Sequence, residues 1–263
     1  MVLDLTHNMK PLIITALYDI GRSEWKDFAM SYDTYLHWMH NTLQLDCEMV
    51  IFTEPKFEAR IRAMRAHTDP SSTKTKYIIN SIQDLEAYKL WNSPLTTLME
   101  SEEFKSKRHW DHVPEMNHPL YNIVMFNKVF FLKQALELVP DATHLLWLDA
   151  GGIRETVTES KWPNPNKLVS DQITKFSHNV PFEIKDHEWH SFSQVRHIQG
   201  TAFICPSSMI DWYISEIRLT VNHCLAQGFI GSDEKIFDIT YLREPERFNL
   251  VKQGWREYYN WLL

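Results

Sequence analysis

The sequence predicts an α/β fold: a single domain built on a mostly parallel sheet with helices on both faces. Three observations predict it. Short apolar runs stand at 12–17, 47–53 and 144–148, the first of them rich in β-branched residues, as in strands buried on both faces. Apolar residues at helical spacing follow the first two runs and precede the third. A chain of 263 residues with 44% hydrophobic and 23% charged residues and no repeated segment can bury one substantial core.

The first strand follows Pro11, and residues 18–23 supply a turn. Residues 24–43 place Trp25, Phe28, Tyr32, Tyr35, Leu36 and Met39 at helical spacing, which completes one βα unit. The run 47–53 and a helix over 56–67 make the second. Residues 68–116 are polar and weakly patterned, with a loop at 70–74 and a short helix at 82–88. From 121 to 139 the apolar positions repeat at i, i+3, i+4 and i+7, which predicts one long helix. A turn at 140–143 leads into the strand 144–148, so Asp149 stands at a strand's carboxyl end, followed by Gly151 and Gly152. Residues 201–205 read as a further strand, and Ser207 or Ser208 is placed to cap a helix over 209–225. Gly228 and Gly231 flank a loop, and Ser232 is placed to cap a helix starting at Asp233. The aromatic segment 255–261 reads as a helix or turn over the sheet, for packing or for stacking on sugar rings.

A formal charge of −7 and the absence of a Lys/Arg cluster argue against nucleic acid as a partner. Cys47, Cys205 and Cys224 form no CxxC pair, which fits a reducing compartment. No transmembrane segment is expected, and the chain reads as cytoplasmic, or at the membrane periphery. GxGxxG, P-loop and GxSxG motifs are missing, which removes the usual support for dinucleotide oxidoreductases, ATPases and α/β-hydrolases.

An aspartate at the end of a buried strand, followed by glycines, is suited to hold a divalent cation against a diphosphate, because ligands of parallel sheets bind at strand carboxyl ends. It also suits a turn-fixing role for Asp149. Lys128 lies on the apolar stripe of its helix. Either its stem packs while its ammonium reaches water, or the ammonium reaches a carboxylate or diphosphate near Asp149. Asp233 and Glu234 are either acidic residues favoured at a helix N-terminus or a general base opposite a donor site. His187, His190 and His197 invite a metal reading, but HxxH alone specifies no geometry.

The segment 14–22 with Trp25, Pro119-Leu120-Tyr121 leading to Asn127-Lys128, and Trp147-Leu148-Asp149-Ala150-Gly151 together resemble the YibB/HtrL-like proteins. That family resembles GT-A glycosyltransferases of surface-polysaccharide assembly. The resemblance spans nearly the whole chain. It implies a GT-A-like domain with a nucleotide-sugar half over about 11–152 and an acceptor half over about 153–263.

The resemblance further implies a nucleotide-sugar donor, a UDP-sugar by analogy, held by Thr15, Ala16, Tyr18, Arg22, Lys128, Asp149, Ala150 and Gly151. The acceptor would be a hydroxyl of a glycan or glycoconjugate, with Asp233 as base, Glu234 as alternate, and inversion at the anomeric carbon. The strand-end acidic motif of such enzymes, usually Asp-x-Asp, binds Mn²⁺ or Mg²⁺; here it reads Asp149-Ala150-Gly151. Either Asp149 binds the ion with water and phosphate oxygens completing the shell, or cations such as Arg22 and Lys128 neutralise the diphosphate. The shortened motif also admits a non-catalytic nucleotide-sugar-binding or assembly protein. A metal-dependent hydrolase using Asp149 would require two histidines converging beside it.

Overall fold

The structure is a computed structural model that describes residues 9–108, 111–157, 162–178 and 197–263. Seven strands form one sheet: β1 (Pro11–Leu17), β2 (Met49–Thr53), β3 (Thr75–Ile79), β4 (His144–Leu148), β5 (Ile173–Ser177), β6 (Ile198–Pro206) and β7 (Phe248–Lys252), in the order β3-β2-β1-β4-β6-β5-β7. All neighbours are parallel except at β6, which runs antiparallel to both β4 and β5. The α/β class with a mostly parallel sheet flanked by helices is as the sequence predicts.

β1 explains the two-sided core by its alternation. Leu12, Ile14, Ala16 and Tyr18 join one cluster with the helices α3 (Glu86–Glu100), α5 (Pro119–Phe126), α6 (Lys128–Leu138), α7 (Ile210–Ala226) and α8 (Asp233–Arg243). Ile13 and Leu17 join the opposite cluster with α1 (Tyr32–Leu43), α2 (Pro55–Arg65) and α9 (Tyr258–Trp261). A strand covered on both faces has no polar side to show in its sequence. At the end of α2 the buried Arg65 donates to the carbonyls of Leu43, Leu45 and Cys47 and to the Thr75 hydroxyl, tying the turn before β2 to β3.

Several boundaries differ from those expected. The helix predicted from residue 24 begins only at Tyr32, where Ser31 accepts the Thr34 N–H at 3.1 Å. Before it, Gly21 (φ 76°) and Phe28 (φ 56°) take left-handed conformations that no helix accommodates. The helix predicted over 121–139 is two segments, α5 and α6, meeting at Asn127, whose side-chain oxygen accepts the Ala87 N–H at 3.0 Å. The polar region 68–116 contains β3, α3 and a short helix α4 (Glu102–Lys107). Neither Ser207 nor Ser208 caps α7, since a 3-10 turn over Ser207–Met209 runs into it; Ser232 holds the N-cap position of α8 but its hydroxyl makes no cap bond.

β1 connects to β2 on one side, while β4 arrives on the other side of β1. The carboxyl ends of β1 and β4 therefore face a crevice where connections diverge, the place where open α/β sheets bind ligands.

Candidate active site

Two cavities meet at that crevice. The smaller, about 120 Å³, lies at the carboxyl end of β1 and is walled by Ala16, Tyr18, Ile20, Tyr32, Tyr35 and Val124 among others. The larger, about 600 Å³, is more polar and extends past Asp149 to Asp233, Glu234, Gln199 and Arg256. Arg22, Tyr35, Tyr121, Met125, Asp149 and Gly151 line both.

The loop after β1 is fixed by local bonds. Asp19 accepts the Gly21 N–H at 2.8 Å and pairs with Lys56, while the Tyr32 hydroxyl accepts the Ile20 N–H at 2.7 Å. This turn carries Arg22 to the Tyr35 hydroxyl, to which it donates, and to the Phe28 carbonyl at 3.2 Å. Tyr18 donates to Asn80 at the end of β3 and stacks on Phe131.

Lys128 is the centre of the site. Its ammonium, 1% exposed, lies 2.6 Å from Asp233 Oδ2, 2.9 Å from Asp149 Oδ1 and 2.8 Å from the Gly200 carbonyl, so all three of its donors are satisfied. Asp149 Oδ1 also accepts the Trp147 indole N–H at 2.7 Å, and that indole stacks on Phe131. Burial opposes the charge on Lys128, but the Asp149 and Asp233 carboxylates outweigh it and hold the ammonium above its ordinary pKa. Burial pushes the Asp149 carboxyl up; Asp233 adds to this, and the Lys128 ammonium opposes it. Of the two uses for Lys128, reaching carboxylates is the one realised.

The glycines make this packing possible. A Cβ on Gly200 would lie 2.9 Å from the Asp233 carboxyl carbon, and one on Gly151 would lie 2.9 Å from the Trp38 ring. A Cβ on Gly152 would meet the Tyr258 hydroxyl. The turn 149–152 is closed by the Gly152 N–H donating to the Asp149 carbonyl at 2.8 Å, and the Asp149 N–H donates to the Thr201 carbonyl within β6.

The residues present do not fit a divalent cation held by an Asp-x-Asp pair. Position 151 has no room for a carboxylate, and between Asp149 and Asp233, where a cation would bind both, stands the Lys128 ammonium. Among the described residues no group of three His, Cys, Asp or Glu side chains is arranged to hold a metal ion. His178 and His197 line the larger cavity; His187 and His190 lie outside the described residues.

Of the residues predicted for donor binding, Ala16, Tyr18, Arg22, Asp149, Ala150 and Gly151 line the smaller cavity, and Lys128 the larger. Thr15 does not. It is fully buried in β1 and lines neither cavity, because it lies further back from the strand's carboxyl end than Ala16, Leu17 and Tyr18, which do. Asp233 and Glu234, predicted as base and alternate, both line the larger cavity. The sequence reading missed Tyr35, Tyr121, Arg154, Gln199 and Arg256 as lining residues. Arg154 is legible in retrospect, five positions after Asp149 in the same strand-end loop; nothing in the sequence singles out Arg256.

A family profile described as "Bacterial protein of unknown function (HtrL_YibB)" matches residues 10–262. The chain belongs to the HtrL_YibB family. A curated relative, Protein HtrL of Escherichia coli (strain K12), is 25% identical over 275 residues, covering 92% of this chain and 87% of HtrL. Among solved structures, a glycosyltransferase involved in the glycosylation of the major capsid of PBCV-1 aligns at TM-score 0.41 and 11% identity, over 92% of this chain and 81% of that one. The galactosyltransferase LgtC, in complex with donor and acceptor sugar analogues, aligns at 0.44 and 10%, over 86% and 69%. The 4-diphosphocytidyl-2C-methyl-D-erythritol synthase of Anaerococcus prevotii DSM 20548 aligns at 0.42 and 12%, over 95% and 91%. Among the described residues of this member of the family, no helix is long and apolar enough to cross a membrane.

Proposed function

We propose that this HtrL_YibB protein is a glycosyltransferase that moves a sugar from a nucleotide-sugar donor to a hydroxyl of a glycan or glycoconjugate. The observation that carries the reading is the pair of cavities joined at Asp149: an aromatic recess sized for part of a nucleotide opens into a polar chamber lined by Asp233 and Glu234. In this reading the base and ribose occupy the recess beside Tyr18, Tyr32 and Tyr35, and the sugar lies in the chamber.

Transfer breaks the bond from the anomeric carbon to the diphosphate and forms one to the acceptor oxygen. The acceptor's proton passes to a carboxylate, and a nucleoside diphosphate leaves. Asp233 is buried and committed to Lys128, whereas Glu234 is half-buried and accepts the Gly200 N–H at 3.3 Å. This favours Glu234 as the base, with Asp233 holding Lys128 in place. Attack from the face opposite the leaving diphosphate gives inversion.

The pairing of both aspartates with one lysine also suits a protein that binds a nucleotide sugar without transferring it. Thermal unfolding in the presence of UDP-, GDP- and dTDP-sugars, with and without Mn²⁺, tests binding, and release of the nucleoside diphosphate tests transfer or hydrolysis. Stabilisation with release supports the enzyme. Stabilisation with neither release nor transfer favours the binder, and no stabilisation by any of the nucleotides removes both.

A further inference from the structure

Three arginines face the larger cavity from three separate parts of the chain: Arg22 after β1, Arg154 after β4, and Arg256 before α9. Each rests on aromatic rings. Arg22 lies over Tyr35 at 5.5 Å, Arg154 over Trp38 at 3.6 Å and within 6.0 Å of Trp255, and Arg256 over Trp255 at 3.6 Å. Tyr35 and Trp38 themselves meet edge to face. The result is a rail in which guanidiniums and rings alternate along one wall.

Stacking occupies the faces of a guanidinium and leaves its N–H edge to donate. None of the three forms an ion pair with a carboxylate among the described residues, and the Arg256 Nε is buried without a hydrogen-bond partner. They also repel one another: Arg22 disfavours the charge on Arg154, and Arg154 that on Arg256, each on top of burial. Like charges gathered in a half-enclosed cavity, with the Arg256 Nε left unpartnered, are complementary to an anion of several charges. The carboxylates nearest the centre cannot serve, since Asp149 and Asp233 are held by Lys128.

We propose that Arg22, Arg154 and Arg256 hold the diphosphate of the nucleotide-sugar donor, with no divalent cation between it and the protein. This rests on the donor reading above. Arg22 lines both cavities, so a nucleoside in the aromatic recess has its phosphates delivered to the rail. Lys128, placed where a cation would bridge the two aspartates, keeps that position closed to a metal. The negative charge that develops on the leaving diphosphate is met by fixed guanidinium donors.

Titration calorimetry of the full chain tests this with UDP and GDP beside uridine and guanosine, first in EDTA and then with excess Mn²⁺. The expected result is a diphosphate that binds at least about tenfold tighter than its nucleoside in EDTA, with Mn²⁺ changing that affinity less than about threefold. Arg154→Gln and Arg256→Gln, both at the cavity wall, are each expected to weaken the diphosphate about tenfold and leave the nucleoside unchanged. Diphosphate binding that is lost in EDTA and restored by Mn²⁺ overturns the inference and leaves the donor reading standing. So does diphosphate binding that neither arginine variant alters. Failure of every nucleotide in both conditions removes the donor reading, and the inference with it.

Discussion

Lys128 on α6 and Asp233 at the start of α8, both buried at the wall of the larger cavity, are joined 2.6 Å apart across 105 residues of sequence. Asp149 meets the same ammonium at 2.9 Å, so one cation neutralises two carboxylates from different ends of the site.

Removing that cation strands both aspartates. Lys128→Met is expected to cost about 3–5 kcal/mol, the range for breaking a buried ion pair from one side. Lys128→Met combined with Asp233→Asn should recover part of the loss. Urea unfolding of the two variants measures this, and a double variant no more stable than the single one would contradict the account.

Gly151 is packed against Trp38, which leaves no space for the acidic residue usual in GT-A motifs. Gly151→Asp should therefore destabilise the protein by about 1–3 kcal/mol through overpacking. Thermal unfolding with and without Mn²⁺ should show a lowered Tm that the metal does not restore.

Glu234→Gln removes the proposed base while keeping its shape. Turnover of an active donor and acceptor pair should fall by a factor on the order of 10²–10⁴, with donor affinity unchanged. Asp233→Asn should instead show its effect in stability. A stable Asp233→Asn protein with normal donor binding and no turnover would return the role of base to Asp233.

Asp238, at the heart of α8, accepts the N–H groups of His197 at 3.1 Å and Ile198 at 3.0 Å, and burial pushes its carboxyl up to about 8. Between the unfolded value near 3.8 and about 8 the folded protein holds a proton that the unfolded chain releases, so this group's contribution to stability falls as pH rises through that window. The difference in Tm between wild type and Asp238→Asn should shift in favour of the variant from pH 5 to pH 8.

Lys175 shows the opposite slope. Its amine is buried in β5 against the rings of Phe203 and Phe237 with no hydrogen-bond partner, and burial holds its pKa well below the ordinary value. The unfolded chain takes up a proton there that the folded protein lacks, so stability from this group rises with pH towards 10.5. Lys175→Met should stabilise by about 1 kcal/mol or more, and by more at pH 7 than at pH 9.

How legible the molecule was depends on what each segment does. β1, β2 and β4 are buried on both faces, and their apolar runs announce them. β5 was missed because Lys175 breaks its apolar run, and β3 and β7 because they are short edge strands carrying polar residues. Asp149, Lys128 and Asp233 could be picked out because each breaks a local pattern or stands at the end of a strand or helix, whereas Arg22 came only from the family resemblance. That Lys128 would bridge Asp149 and Asp233 could not be read, since it depends on β6 and α8 reaching the first residue of α6 from far along the chain. Thr15 shows the limit of reading strand residues as a block: only the carboxyl end of β1, from Ala16 on, reaches the cavity.

The Lys128 bridge also bears on how the two ends of the sheet come together. Its partners come from β4, from β6 and from α8, which lie 72 to 105 residues further on for the last two. An intermediate containing only β1 to β4 would lack Gly200 and Asp233 and would leave that lysine facing water. The charge can be enclosed only when β6 and α8 are docked, which ties the two ends of the sheet into one cooperative unit.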